Sequence, residues 1–398
     1  MSTNPGTPVS LLRLFLLYLK IGITGFGPTL AAETKKRLVK GLHWISEEEF
    51  LNGLALAQLL PGATFVSLSV FIGYRLRGVA GAIVCFIGLL LPPFGIMLLL
   101  SYIYFTYGSL PAVGVLFTGM AVVVTGLVAN AVLEIGKSAV TDRKGAIVAL
   151  GAIGVMVYYS NIFALLFLAA SAGILLYYQP LKRVASGGGE PPTVETTVPF
   201  RKFLLLAVIL AVIAYATSWQ PVLFQLGWVF FRMGALLFGG GFSMIPFIQQ
   251  EVVTHYHWLN LDEFMVGLAL GQATPGPILI TATFVGYKVA AIGGAITATL
   301  GIFLPSLFLV MATSEIHQKI RHNFAVKAAI KGIAAAFAGM MVVVVVGLAQ
   351  YSLVDIMSVI VALITFGMLR FSKLDTVWVI IAGTVIYWLL STLVVGMP

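Results

Sequence analysis

The sequence predicts an all-α polytopic membrane protein, built as an inverted-topology tandem repeat with re-entrant broken-helix hairpins. Three observations predict it. Of 398 residues, 60% are hydrophobic and only 9% are charged, against roughly 25% charged in an ordinary soluble domain. The segment GLALGQATPGP at 267–277 repeats GLALAQLLPGA at 53–63, and Gln272 lies 214 residues after Gln58. The loop 34–46 is the most basic in the chain, whereas its counterpart 249–260 has no Lys or Arg. The positive-inside rule puts those two loops on opposite sides of the membrane.

The repeat extends well beyond its most obvious part. His43-Trp44 matches His257-Trp258, Glu49-Phe50 matches Glu263-Phe264, and Gly88 and Pro92 match Gly301 and Pro305. Upstream, Lys20-Ile21-Gly22 pairs with Arg232-Met233-Gly234, and Phe26-Gly27 with Phe238-Gly239. The chain therefore divides into an N-terminal repeat (1–180), a cytoplasmic linker (181–200) and a C-terminal repeat (201–398). The linker reads LKRVASGGGEPPTVETTVPF, without an apolar period, as expected of a flexible connection.

Each element follows from hydropathy and charge. Segment 11–40 reads as a first hairpin with its tip at Gly25-Phe26-Gly27-Pro28, and 47–76 as a second with its tip at Pro61-Gly62. Arms of about 14 residues reach ~21 Å, short of a ~30 Å hydrocarbon core. Re-entrant hairpins return each loop to its own side. Full crossings are then expected near 79–108, 111–135, 144–159, 161–180, 201–219, 291–312, 323–350, 353–370 and 374–395. The second-copy hairpins enter from outside, with tips at Gly239-Gly240-Gly241 and Pro275-Gly276-Pro277. This arrangement puts the N-terminus in the cytoplasm and the C-terminus outside (periplasmic or extracellular), in a bacterial cytoplasmic (inner) membrane.

Several classes are excluded. Residues 1–10 carry no charged n-region or cleavage site, so no signal peptide is expected to be removed. The lone Cys85 rules out an internal disulfide or a cysteine metal cluster. The net charge of +9 is assigned to cytoplasmic loops rather than to a nucleic-acid partner. Gly239-Gly240-Gly241 lacks a preceding strand and a following Lys-Ser/Thr, so it is no nucleotide loop. The five histidines lack metal spacing. No enzyme activity, cofactor or metal is expected; the expected partners are lipid and a transported solute, and the oligomeric state, a homodimer included, stays open.

Irregular backbone at membrane depth survives only when buried in protein or lining a wet cavity. Pro28, Pro61 and Pro275 suit the first turn of each outgoing arm. Four helix N-termini at the tips would present roughly +2 of charge between them, which suits a tetrahedral dianion held by backbone N–H groups. Candidate binding residues are therefore Gly25, Phe26, Gly27, Pro28, Pro61, Gly62, Gly239, Gly240, Gly241, Pro275, Gly276 and Pro277. Scattered glycines such as Gly126 and Gly347 are assigned to helix packing.

Charged and polar neighbours complete the candidate set. Lys20 and Arg232 sit at matched positions inside apolar segments, where a cation costs ~2.5–3.5 kcal/mol; they attract an anion or snorkel to the interface. Arg75 and Lys288 stand at the mouths of the second hairpins, as steering residues or topology determinants. Gln58 and Gln272 precede the Pro-Gly breaks and can donate to an oxyanion; Thr274 and Thr281 add hydroxyls or bond their own backbone. Glu33 is a candidate proton carrier or a partner of Lys36 or Arg37. His43 and His257 read as interface residues, and Glu49 and Glu263 as caps.

These residues resemble the chromate ion transporter family, in its long two-domain form. The second copy is the closer match: Phe238-Gly-Gly-Gly-Phe242, Ile245-Pro246-Phe247, Leu268-Ala-Leu-Gly-Gln272-Ala-Thr-Pro-Gly-Pro277, Thr281-Ala-Thr-Phe-Val-Gly-Tyr287 and Leu300-Gly-Ile-Phe-Leu-Pro305. The resemblance covers roughly 11–135 and 225–350. It implies chromate export across the cytoplasmic membrane driven by the proton motive force. The first copy departs from the pattern: no His follows Gly25-Phe26-Gly27-Pro28, and Ala63 stands where proline is common. Sulfate or another divalent oxyanion, and an anion channel in place of a secondary transporter, stay open as alternatives.

Overall fold

A computed structural model gives residues 9–27, 29–108, 110–159, 161–185, 220–236, 238, 241–313, 324–372 and 374–395. Among these the chain is helical throughout, apart from turns and one isolated β-bridge. The helices are α1 (Leu11–Thr24), α2 (Thr29–Lys35), α3 (Glu47–Leu59), α4 (Thr64–Tyr107), α5 (Pro111–Ala139), α6 (Arg143–Tyr159) and α7 (Ile162–Ala185). They continue with α8 (Pro221–Leu236), α9 (Ile245–Gln249), α10 (Leu261–Ala273), α11 (Thr281–Thr313), α12 (Phe324–Ser352), α13 (Ile356–Phe371) and α14 (Thr376–Val395). Six of these segments are long and apolar enough to cross a membrane. Helices α6 and α13, assigned to crossings by the sequence, have only 17 and 16 residues, and the expected crossing 201–219 lies outside the described residues. The chain is an all-α polytopic membrane protein.

Helix starts follow the side-chain chemistry of the residue just before them. Ser10 accepts from the Arg13 N–H at the start of α1. Ser46 and Glu49 form a reciprocal capping box on α3, and Asn260 and Glu263 exchange the same pair of bonds at α10. Each such cap is worth ~1 kcal/mol. Glu49 and Glu263 thus cap their helices, as their matched positions suggested.

The same backbone events occur twice along the chain. A π-helical turn follows α2 at Lys36–Gly41 and follows α9 at Gln250–His255. His43 (φ 51°) and His257 (φ 52°) then take left-handed conformations, for which His is among the better-tolerated side chains. Both are exposed, so a turn role joins the interface role expected for them. Helix α4 breaks at Arg77 and Gly78, and α11 breaks at Ala290 and Ala291. At each break the chain turns so tightly that glycines meet across it. A Cβ on Gly73 would lie 2.4 Å from the Gly81 carbonyl oxygen, and one on Gly286 2.2 Å from that of Gly294. Ala291 holds φ 46°, ψ −138° where the first copy has glycine.

The repeated packing follows the repeated sequence. Helix α1 meets α4 where Gly22 would place a Cβ 2.5 Å from the Leu89 carbonyl oxygen. Helix α8 meets α11 where Gly234 would place one 2.2 Å from that of Ile302. Small residues let apolar helices approach at backbone contact, which is how they associate in lipid. Arm α3 and the part of α4 before its break each have 13 residues, ~20 Å of helix.

The chain divides into two compact units. The first is Met1–Leu98, Pro191–Gly241 and Thr274–His322; the second is Leu99–Glu190, Phe242–Ala273 and Asn323–Pro398. Each draws on both sequence copies. In the second unit, α12 packs against α5, α6 and α7, and α13 and α14 pack against α5. Gly126 sits against the Ala362 carbonyl, with 2.5 Å to a would-be Cβ, which bears out its packing role. Gly347 does not: a Cβ there would meet nothing within 4 Å.

The two ends of α12 are tied differently. Near one end Lys331 reaches Asp142 at 3.2 Å, and Asp142 also accepts from the Tyr177 hydroxyl (2.6 Å) and the Gly145 N–H (2.7 Å). These donors, the Tyr177 hydroxyl first, hold the Asp142 carboxyl down at about 2. At the other end the Tyr351 hydroxyl donates to Asp262 at 2.7 Å. The 20 residues between Lys331 and Tyr351 rise ~30 Å, one hydrocarbon thickness.

Two local expectations are corrected. Helix α7 continues to Ala185, so the first five residues of the expected linker are helical; 186–200 lie outside the described residues. Pro61 stands three residues before α4, and Pro275 six before α11. Neither is in a first helical turn. Each is followed by a glycine at positive φ, Gly62 at 124° and Gly276 at 104°. Proline followed by such a glycine is type II turn chemistry, so the pair makes the tip itself and the helix starts later.

Candidate functional site

Four chain breaks belong to the first compact unit: 25–28, 60–63, 238–241 and 274–277. Pro28, Gly239 and Gly240 lie outside the described residues. Among the others, the structure joins the two copies directly. Phe26 and Gly276 form an isolated parallel bridge. The Gly27 N–H donates to the Gly276 carbonyl (3.1 Å), and the Gly276 N–H donates to the Gly25 carbonyl (2.7 Å). Gly25, Thr274, Pro275, Gly276 and Pro277 are buried, and Phe26 and Gly27 are half-buried.

Glycine is required at Gly62 and Gly276 for two reasons each. Their positive φ is strained for any side chain, and both are closely covered. A Cβ on Gly276 would lie 2.8 Å from Pro93 Cβ, and one on Gly62 2.4 Å from Ser306 Oγ. Ser306 also accepts from the Ala63 N–H at 2.8 Å. Pro93 and Ser306 are themselves matched, 213 residues apart, so each copy's tip rests on the other copy's long helix. Neither residue was among the sequence candidates. The signal was present, since each directly follows a matched proline, Pro92 or Pro305.

The donors available to a ligand differ from those the sequence suggested. Gly27 and Gly276 spend their N–H groups on the bridge, and the Phe26 N–H donates to Thr29 Oγ1 at 3.0 Å. The Ala63 N–H is held by Ser306. The first bond inside α4 runs from the Ser67 N–H to the Ala63 carbonyl, which leaves Thr64, Phe65 and Val66 without an acceptor one turn back. A 3-10 turn, Ile278–Ile280, precedes α11 and begins with the Ile280 N–H on the Pro277 carbonyl; Ile278 and Leu279 have no acceptor within that turn. The helix-terminal donors therefore sit a few residues past the glycines. Gly241 packs close to the same turn, a would-be Cβ meeting Ile278 Cβ at 3.1 Å.

The remaining candidates fall into distinct environments. Gln272 is 7% exposed and its amide nitrogen has no hydrogen-bond partner. Its first-copy match, Gln58, is exposed. Thr274 is buried with its hydroxyl 3.9 Å from the Met97 sulfur, and Thr281 donates to the Ile278 carbonyl at 3.0 Å. Lys20 is exposed on α1, and its match Arg232 is half-buried on α8. Glu33 is ion-paired with Arg37. Arg75 pairs with Glu49 at 3.1 Å, at the mouth of the hairpin made by α3 and α4; Lys288 is exposed. Among the described residues no cluster of His, Cys, Asp or Glu could hold a metal ion.

Comparison with known proteins agrees with this architecture. The family model for chromate transporters matches residues 12–175 and 224–388. The chain is 31% identical over 394 residues to a chromate transport protein of Cupriavidus metallidurans, covering 98% of this chain and 95% of that protein. It is 29% identical over 401 residues to a chromate transport protein of Pseudomonas aeruginosa, covering 96% and 93%. An uncharacterized transporter of Methanocaldococcus jannaschii is 32% identical over 383 residues, covering 96% and 94%. No solved structure matches the chain at a significant level. With both halves matched by one family model and near full-length relatives above 30% identity, the chain belongs to the chromate transporter family.

Proposed function

We propose that this protein is a secondary transporter that exports chromate across the cytoplasmic membrane by alternating access. The observation that carries this reading is the bridge between Gly25–Gly27 of one copy and Gly276 of the other, which fastens two broken-helix tips into one buried backbone junction. Irregular backbone of that kind at membrane depth is used by transporters to hold solute. Chromate is a tetrahedral dianion, and helix-terminal N–H groups attract such an ion without a fixed countercharge. The N–H groups of Thr64, Phe65, Ile278 and Leu279 are the donors we assign to it; Gln272, from its place in the sequence before the Pro-Gly break, is proposed as a further binding residue. Lys20 and Arg232 supply positive potential, and Arg75 and Lys288 mark the hairpin mouths. The bridge itself acts as a strut that fixes the tips.

The two copies, 1–180 and 201–398, are proposed to lie inverted. Lys327 and Lys331 lie at the basic end of α12, where Lys331 is tied to Asp142, while Asp262, at the mouth of the second-copy hairpin, accepts from the Tyr351 hydroxyl at the far end. A basic end is the cytoplasmic end. The second-copy hairpin then opens outward, and the basic loop 34–46 places the first-copy hairpin on the cytoplasmic side.

Sulfate is the alternative substrate, favoured by the first copy's lack of the usual His and of a second proline at Ala63, since both ions share shape and charge. Uptake of radiolabelled chromate into proteoliposomes, with sulfate as competitor, tests the reading. Saturable chromate flux that responds to an imposed gradient is expected. Absence of chromate flux under every gradient would sink it, and sulfate flux without chromate flux would transfer the site to sulfate.

A further inference from the structure

A second polar feature lies wholly within the second compact unit. Helices α5, α13 and α14 pack on one another, and apolar helices have little reason to bury polar atoms there. Three such atoms are nevertheless buried without a hydrogen-bond partner: Asn130 Oδ1, Thr365 Oγ1 and Thr384 Oγ1. Asn130 is 8% exposed, Thr365 0% and Thr384 4%. One comes from each helix. Thr365 Oγ1 lies 2.9 Å from a would-be Cβ on Gly383, the neighbour of Thr384, and Thr365 Cβ lies 3.1 Å from one on Gly126. Asn130 is one helical turn beyond Gly126 on α5.

The polar atoms continue in both directions. Thr384 and Tyr387 are three residues apart on α14, and so share a face. The Tyr387 phenol faces Ser358 and Asp355. Ser358 is 1% exposed and bonds Asp355 through both its N–H (2.6 Å) and its hydroxyl (2.7 Å). Asp355 opens α13 at the end of the bundle. In the other direction Glu134 follows Asn130 by one turn and is exposed. The charged groups on the packed elements are Glu134 and Lys137 on α5, Arg370 on α13, Asp375 before α14, Lys327 and Lys331 on α12, and Asp262 and Glu263 on α10.

A buried polar atom without a partner is costly, and a bound water is its usual remedy. Helices that touch at backbone distance, as Gly126 and Ala362 do, leave no room for a tetrahedral oxyanion between them. We propose that bound water closes Asn130, Thr365 and Thr384 into a hydrated seam between Asp355 and Glu134 that conducts protons. Hydroxyls and water both donate and accept, so a proton passes by exchange of hydrogen bonds with no net chemistry. The seam goes beyond the oxyanion site and does not depend on which anion is carried.

Two measurements on the full chain in proteoliposomes test it. X-ray hydroxyl-radical footprinting modifies buried side chains beside bound water. Tyr387, 7% exposed, is expected to be modified about tenfold faster than Phe337, which is 1% exposed and carries no polar side-chain atom. The Thr365→Val/Thr384→Val double variant is expected to bring the two rates together. In vesicles loaded with a pH-sensitive dye, proton entry under an imposed pH gradient should fall about tenfold in the same variant, and Thr384→Ser should retain it. Equal modification of Tyr387 and Phe337 in the wild type would overturn the seam. So would unchanged proton entry in the double variant, or, if that variant fails to fold, in Thr365→Val alone. Chromate flux measured in parallel separates the two proposals, because a wild type that passes protons but no chromate leaves the seam standing and removes the transport reading.

Discussion

Gly276→Ala is expected to abolish transport while leaving most of the helical packing in place. The new methyl group would need a left-handed φ of 104° and would sit 2.8 Å from Pro93 Cβ and Cγ. Strain of this kind costs ~1–3 kcal/mol, and the ring of a proline cannot swing aside. The chain can relieve it only by moving the tip, which breaks the two bonds that fix Gly276 to Gly25 and Gly27. A loss of about 100-fold in chromate flux follows if the tips must hold their positions to within ~0.5 Å. Flux within a few-fold of the wild type would show that the junction is not part of the transport site.

Replacing Gln272 by leucine is expected to raise stability and destroy function together. Its amide nitrogen is buried without a partner, and leaving a buried donor unmade costs ~1–3 kcal/mol. Leucine removes that donor at similar volume, so thermal unfolding in detergent should shift upward. If the amide is kept for the anion, chromate flux should fall by about tenfold or more, the ~1.5–3 kcal/mol carried by a hydrogen bond to a charged group. A variant that is more stable and equally active would reduce Gln272 to an unsatisfied core residue. Opposite shifts in stability and activity are what a binding residue predicts.

Much of this was legible in the sequence because the repeat and the charges constrain it twice. The two breaks at Gly78 and Ala291 fall where the outgoing arms were expected to end, since bilayer thickness limits arm length and basic residues mark the turns. The tip residues were found for a similar reason: Pro-Gly in an apolar run has few structural uses. What the sequence did not disclose is how the tips are tied. Which N–H groups are already spent depends on contacts between distant segments, as in Gly27 with Gly276 or Ala63 with Ser306, and spacing along the chain says nothing of them. The placement of Pro61 and Pro275 failed for a local reason. Proline fits a helix start and a type II turn equally well, and only the positive φ of the following glycine distinguishes them. The polar residues of α5, α13 and α14 were missed because single Thr and Asn residues in apolar helices normally bond their own backbone.

The central claim is that the two copies face opposite ways and bring their tips together from the two sides of the membrane. Single cysteines at Lys36 and at Gln250, in a background where Cys85 is replaced, test it with a membrane-impermeant thiol reagent on intact cells. The loops are predicted to differ: Gln250→Cys should label from outside, and Lys36→Cys only after the membrane is opened. Labelling of both from the same side would contradict the inversion, and with it the oxyanion site built from opposed tips.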